Sequence, residues 1–449
     1  MALAQNSARQ RSQEAELDAF YEWFDEHSRL HHYHVERVGL GDLAGWRLHE
    51  RTGDLVHASG RFFTITGLRV GMETGREREW TQPVIVQPEI GLLGILVRRI
   101  DGVLHCLMQA KMEPGNINTL QMSPTVQATR SNYTGVHRGR SVPYVEYFIG
   151  DRRGTVLSDT LQSEQGWWFL HKRNRNMIVE IDEDVPEHDG FRWLPLDVIG
   201  ELLLHDNIIN MDSRTVLASM PYEDEEAPAA ALHPLREVLR RLTDTRARHH
   251  LVQTRVPLNE ALDAGWQLTD DGIARPDGRF FEVIGVDVQA ERREVGSWSQ
   301  PLLAPRPGLS GLFVRHVDGV PHLLLHARVE AGTLNVAEYA PSVQCTPDHA
   351  PGARTEDRPP LLDRLLAAPA ADVLYDTVHS EEGGRFHHAL TRNLVVAAGE
   401  DFPDDLPPEY CWVSLHQARA LLQHSNYLNV QARTLVACLN PRLGPRPGS

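Results

Sequence analysis

The chain has few cysteines, no excess of basic residues and no long apolar run. Cys106, Cys345, Cys411 and Cys438 form no CxxC pair and follow no metal-ligand spacing, so a disulfide framework is excluded and buried free thiols are their simplest reading. The formal net charge of -16 argues against a surface built to neutralise nucleic-acid phosphates. No stretch approaches the roughly 18 continuous apolar residues of a membrane span, and the opening MALAQNSARQRSQEAELDAF has no apolar signal-peptide core. These absences predict a cytoplasmic protein with neither membrane nor nucleic-acid partners. Also missing are GxGxxG after a strand, a P-loop, a GxSxG elbow and a His/Cys cluster, which weighs against bound nucleotide cofactors, serine hydrolysis and structural zinc.

What is present is an ordinary globular composition, 449 residues with 41% hydrophobic and 24% charged, long enough for two domains or more. The strongest signal is internal repetition. GRFFTITGLRV (60–70) recurs as GRFFEVIGVDV (278–288), and Trp80-Thr-Gln-Pro as Trp298-Ser-Gln-Pro, at an offset of 218. One deletion later, residues 91–129 match 308–346 with 18 of 39 positions identical. DTLQSEQG pairs with DTVHSEEG, RNMIV with RNLVV, and HDNIINMDSRTVLA with HSNYLNVQARTLVA. Two copies therefore follow one another, 1–222 and 233–449, joined at 223–232 within the Pro-, Ala- and acid-rich PYEDEEAPAAALHP.

Each copy opens with a helical segment and closes with an amphipathic one, LDVIGELLLHDNIIN or LHQARALLQHSNYLN. Between them lie short β-branched runs broken by Asp-Gly and Pro-Gly. RRIDGVLHCLMQA predicts a hairpin turning at Asp101 and Gly102, because Asp-Gly tolerates the positive φ of a tight turn. Strands in the middle and helices at both ends predict an α+β domain, repeated.

QAKMEPGN (109–116) alternates polar and apolar residues, which puts Gln109, Lys111 and Glu113 on one strand face. HARVEAGT repeats the pattern with His326, Arg328 and Glu330. The copies then diverge: Arg130, Asn132, Tyr133 and His137 in the first have no counterpart of the same type, and Gln87, Lys111, Asn116 and Gln121 are altered in the second. A run this polar is either a solvated loop or a site that uses it. KRNRN (172–176) suits an anion such as pyrophosphate, or an exposed turn. Only Arg392 and Asn393 survive of it in copy two, so Arg175 is preferred over Lys172 as a phosphate ligand. Trp80 can stack on a base or belong to the core. Glu164 and Glu381 are either site acids or capping partners.

WTQPVIVQPEIGLLGILV, QAKMEPGN, QMSPTVQATRSNYT, LQSEQG and KRNRNM together resemble the NDP-hexose 2,3-dehydratase family over almost the whole chain. The resemblance implies tandem Nudix-like α/β/α domains, each a mixed sheet flanked by helices, that pair as homodimers and bind nucleotide sugar in both repeats. The Nudix box is missing from both copies, and with it the carboxylates that hold divalent metal for pyrophosphate cleavage. The implied substrate is dTDP-4-keto-6-deoxy-D-glucose. Its ketone acidifies the C3 hydrogen, and the enolate expels the C2 hydroxyl without redox cofactor or metal. On this basis Lys111 stabilises the C4 oxyanion, Glu113 or His137 takes the C3 proton, and Tyr133 protonates the leaving hydroxyl. Trp80, Gln82, Gln87, Asn116, Gln121, Ser123, Thr125, Gln127, Arg130, Asn132 and Arg175 are the expected substrate contacts. The product is labile, which implies coupling to a downstream 3-ketoreductase. The rival for Lys111 and Glu113 is an ordinary salt bridge. Rival functions are a non-catalytic nucleotide-sugar binder and a metal-dependent hydrolase releasing dTMP.

Overall fold

The structure, a computed structural model, describes residues 2–30, 32–73, 77–130, 142–150, 153–221, 231–290, 296–346 and 358–443. Each repeat carries a seven-stranded mixed sheet. In the first, the order runs Thr155–Ser163, Arg173–Glu180, Gly91–Ile100, Val103–Met112, Phe191–Pro195, with Leu120–Ser123 and Val126–Ala128 added at the side. Gly91–Ile100 pairs in parallel with Arg173–Glu180, and its other pairings are antiparallel. The second repeat reproduces this arrangement around Gly308–Val317 and Val320–Val329.

Local sequence explains the centre of each sheet. Residues 91–97, GLLGILV, are all buried, as expected of a strand covered on both faces. It turns into the next strand through Asp101 (φ 51°) and Gly102 (φ 80°), and Asp318 (φ 50°) and Gly319 (φ 77°) make the same turn in the second repeat. The Asp-Gly hairpin expected at residues 101 and 102 is therefore present, and the second copy has the same turn. The helices at either end are present too: Ala2–Leu30 and Leu196–Leu202 in the first repeat, Leu235–Arg248 and Leu415–Leu422 in the second.

Sequence order does not predict how the two five-stranded sheets are built. Tyr33–Val38, from the first repeat, pairs with Phe281–Ala290 of the second. Reciprocally, His250–Val256 of the second repeat pairs with Thr64–Glu73 of the first. The repeats thus exchange one strand each, and neither small sheet is complete without the other copy.

A shared core reinforces the exchange. Phe20, Ile95, Leu194 and Val216 of the first repeat lie in one apolar cluster with Val314, Tyr339, Leu415 and Leu435 of the second. Two arginines cross it. Arg214 and Arg433 are 1% and 0% exposed, a placement that is costly unless every donor is met. Arg214 donates to Ile209 O (2.5 Å) and across to Ser380 O (2.7 Å). Arg433 donates to Leu428 O (2.7 Å) and across to Ser163 O (2.5 Å). Each guanidinium therefore ties the closing helices of its own repeat to the Ser-Glu turn of the other. All four cysteines are free, three of them buried.

Candidate active site

The EPGN loop after strand Val103–Met112 meets the second repeat's Ser-Glu-Glu-Gly turn. Gly115 N donates to Gly383 O (2.8 Å) and His388 N to Gly115 O (2.7 Å). This backbone stitching brings Lys111, Glu113, Glu164, Lys172, Asp212 and Glu382 within electrostatic reach of one another.

The orientation of the central pair follows from a helix cap. Asn210 caps Met211–Leu217 by accepting from Ser213 N (2.8 Å), as a residue before a helix commonly does. With its oxygen committed, its amide nitrogen faces Gln127 Oε1 (3.1 Å), and Gln127 Nε2 in turn donates to Glu113 Oε1 (2.9 Å). Lys111 Nζ sits 3.5 Å from the same Oε1 and donates to Gln127 O (3.3 Å). Both contacts fall on one oxygen of Glu113. The other, Oε2, is buried with no hydrogen-bond partner among the described residues. The shared face read from QAKMEPGN is thus realised, with Glu113 just past the strand's end.

Unmet acceptors gather around the pair. Asn116 Oδ1, Gln121 Oε1, Glu164 Oε2 and Asp212 Oδ1 are also buried without a partner among the described residues. Such groups are costly in a folded protein unless a ligand or water meets them. The local charges raise several carboxyls. Burial first, then the neighbouring Glu382, pushes Glu164 up to about 7. Burial, then Glu382, Glu164 and Glu113, holds Asp212 well above the usual carboxylate range, with Lys111 opposing. Glu382 is raised by burial and by Glu113, against Arg385, Lys172 and Lys111. Burial lowers Lys172, while Glu382 and Glu164 support its charge. The result is a cluster in which Lys111 and Lys172 stand beside Glu113 and three raised carboxyls, a setting suited to acid-base chemistry on a polar ligand.

Several expected substrate contacts stand in or beside this cluster. Gln127 and Asn116 line it, and Gln121 Nε2 donates to Ser380 Oγ (2.9 Å) across the repeats. Gln87 accepts from Arg385 Nε (3.0 Å). Others are committed to the scaffold. Thr125 Oγ1 bridges Leu107 O and Leu96 N, and Ser123 Oγ donates to Pro124 O (3.2 Å). Trp80 stacks on Trp167 with ring centroids 5.6 Å apart, and its indole nitrogen binds Gln82, which reaches Trp167 O.

Arg175 is held in a bidentate pair with Asp159 at 2.7 and 2.6 Å, repeated by Arg392 and Asp376. Lys172, by contrast, is the buried cation at the cluster, donating to Glu89 O (2.5 Å). Arg130 is exposed. Asn132, Tyr133 and His137 lie outside the described residues. Asp212 and Glu382 were not singled out from sequence, although the copies differ at both: Gln431 and Gln165 are the counterparts. Among the described residues, no group of three His, Cys, Asp or Glu side chains could hold a metal ion.

Comparison with known proteins gives consistent matches. The family model for NDP-hexose 2,3-dehydratase matches residues 17–220 and again 235–439. A dTDP-4-dehydro-6-deoxy-alpha-D-glucopyranose 2,3-dehydratase from Streptomyces violaceoruber is 48% identical over 94% of this chain and 96% of its own length. A protein of the same description from Saccharopolyspora spinosa is 46% identical over 94% of this chain and 90% of its own. Among solved structures, an ADP compounds hydrolase is 19% identical and covers 38% of this chain and 89% of its own, with a TM-score of 0.25, too low to support any reading of the fold.

Proposed function

We infer the reaction from one premise: the chain belongs to the NDP-hexose 2,3-dehydratase family. It is a hydro-lyase that removes water from dTDP-4-dehydro-6-deoxy-glucose, the C2 hydroxyl leaving with the C3 hydrogen. The observation that supports placing the chemistry is Glu113. One carboxylate oxygen is held by Gln127 and paired to Lys111 at 3.5 Å, and the other is buried and unmet among the described residues. That geometry leaves one oxygen of Glu113 available to a substrate hydrogen, as a general base needs.

In this reading the C4 ketone lies toward Lys111. Glu113 Oε2 takes the C3 proton and the bonding pair moves to C3=C4, leaving negative charge on the C4 oxygen beside the ammonium. Re-formation of the carbonyl then drives C2=C3 formation, and the C2–O bond breaks as the hydroxyl takes up a proton and departs as water. The remaining enol moves its proton from the C3 oxygen to C2, giving the 3,4-diketo-2,6-dideoxy sugar. His137 is the alternative base and Tyr133 a candidate acid; both stand as proposals on the first repeat's unmatched polar run. Lys172 is the cation we assign to the diphosphate.

The remaining parts of the reading are coarser. Each repeat is read as Nudix-like from its mixed sheet and flanking helices. No described helix is long and apolar enough to cross a membrane, and we place the enzyme in the cytoplasm, as a homodimer passing its labile product to a 3-ketoreductase. Incubation with dTDP-4-keto-6-deoxyglucose, followed by mass spectrometry, tests the whole. Loss of one water is expected. Release of dTMP that depends on magnesium would point to a hydrolase, and unchanged mass with tight binding to a non-catalytic receptor.

A further inference from the structure

The second repeat reaches into the first repeat's cluster with one side chain that the reaction scheme has not used. Glu382 leads the Gly-Gly pair that packs on the EPGN loop, and the two backbone hydrogen bonds through Gly115 set its place. A methyl group on Gly384 would stand 3.3 Å from Glu382 Oε1 and 3.6 Å from Glu113 Oε1, so the two carboxylates border one small volume. Among the described residues the Glu382 carboxyl has no hydrogen-bond or ion-pair partner. Its counterpart in the other repeat is Gln165, an amide whose Nε2 is bonded to Glu381 at 2.6 Å.

We propose that Glu382 is the acid that delivers a proton to the departing C2 hydroxyl, so that the first repeat's active centre is completed by a residue of the second. The assignment rests on the dehydration reading above. A β-elimination needs an acceptor at C3 and a donor at C2, one carbon away. Glu113 is the acceptor, with Oε1 on the shared volume and Oε2 unmet, and a protonated Glu382 across that volume is the donor. Asp212 is 2% exposed, whereas Glu382 is half-buried. In the step, the carboxyl O–H bond breaks and the proton joins the C2 oxygen as the C2–O bond breaks. The resulting carboxylate is re-protonated from solvent before the next turnover.

The groups facing Glu382 are Lys111, Glu113, Glu164, Lys172, Asp212 and Arg385. Burial and Glu113 favour its protonated form, and the three cations oppose them. The acid role therefore predicts a rate that falls as pH rises through the pKa of Glu382, and loss of that limb in Glu382→Gln.

The test runs the full-length enzyme with dTDP-4-keto-6-deoxyglucose in deuterated water, following C3 hydrogen exchange and water loss together. Glu382→Gln is expected to lose water about 10² to 10⁴-fold more slowly while still exchanging the C3 hydrogen, because base and oxyanion partner remain. Near-normal water loss overturns the proposal, as does loss of exchange along with elimination in a variant that melts like the parent. Glu382→Ala is assayed beside it in case the amide misfolds. Partial recovery by added formate supports the role, and a flat response contradicts it. If the parent enzyme itself neither exchanges C3 nor loses water, it is the dehydration reading that fails, not the assignment of Glu382.

Discussion

Glu330 in the second repeat is held as Glu113 is in the first. Asn429 caps its helix by accepting from Ala432 N (2.9 Å), its nitrogen binds Gln344 Oε1 (2.8 Å), and Gln344 reaches Glu330 Oε1 (3.4 Å). Even the cation's second contact is repeated, Arg328 donating to Gln344 O (3.2 Å). The two relays differ in what surrounds them. Where the first cluster has Lys172, Asp212 and Glu382, the second has Ala389, Gln431 and Gln165. Where the first cluster meets the bare Gly384, the second repeat's loop meets Trp167, packed with Trp80 beside Ala331. Duplication kept the scaffold in both places, and Lys172, Asp212 and Glu382 stand in one cluster alone.

That difference can be attacked at its strongest point first. Glu113→Gln is expected to lower kcat about 10² to 10⁴-fold, the usual contribution of a general base, whereas Glu330→Gln should change it only a few-fold. Steady-state rates for the matched pair measure this, and equal losses would break the comparison. Stability should behave in the opposite way, since the arginines are used alike. Arg214→Met and Arg433→Met are each expected to cost roughly 3 to 5 kcal/mol in urea unfolding, because each leaves two buried carbonyl acceptors unmet. A large inequality would show that the two tethers are not equivalent.

A smaller effect sharpens the comparison through pH. Glu338 stands where the first repeat has Gln121, and burial pushes it up to about 7. A raised acid is protonated in the folded state while the unfolded chain is already ionised. Its contribution is therefore intact below the unfolded pKa of about 4.5 and is lost as pH rises toward about 7. Glu338→Gln should abolish that decline, with a gain of up to roughly 3 kcal/mol at pH 8 and little at pH 4. Melting curves at the two pH values decide it. The smallest effect is expected at the surface: Arg175→Met and Arg392→Met should each cost within about 1 kcal/mol, because their partners are half-exposed carboxylates.

What the sequence made legible was local or repeated. The Asp-Gly hairpins followed from turn chemistry, and the common face of Lys111 and Glu113 from a period of two. The α+β layout followed from where apolar periodicity changes. What stayed hidden depends on pairs far apart in the chain. No local signal ties Tyr33–Val38 to Phe281–Ala290, or Glu382 to Glu113, because only tertiary packing brings them together. Lys172 and Arg175 were ranked by survival in the second copy, which favours structural residues: the Arg175 pair with Asp159 persists as Arg392 with Asp376 for that reason. The copy-to-copy changes at residues 165 and 212 were readable, and they mark the cluster better than any shared residue does.

The most direct test is a crystal structure with dTDP-glucose, which lacks the ketone and cannot react. The account predicts a hexose with C2 and C3 against Glu113 and Glu382 and its diphosphate toward Lys172. A hexose seated only beside Arg328 and Glu330 would contradict it.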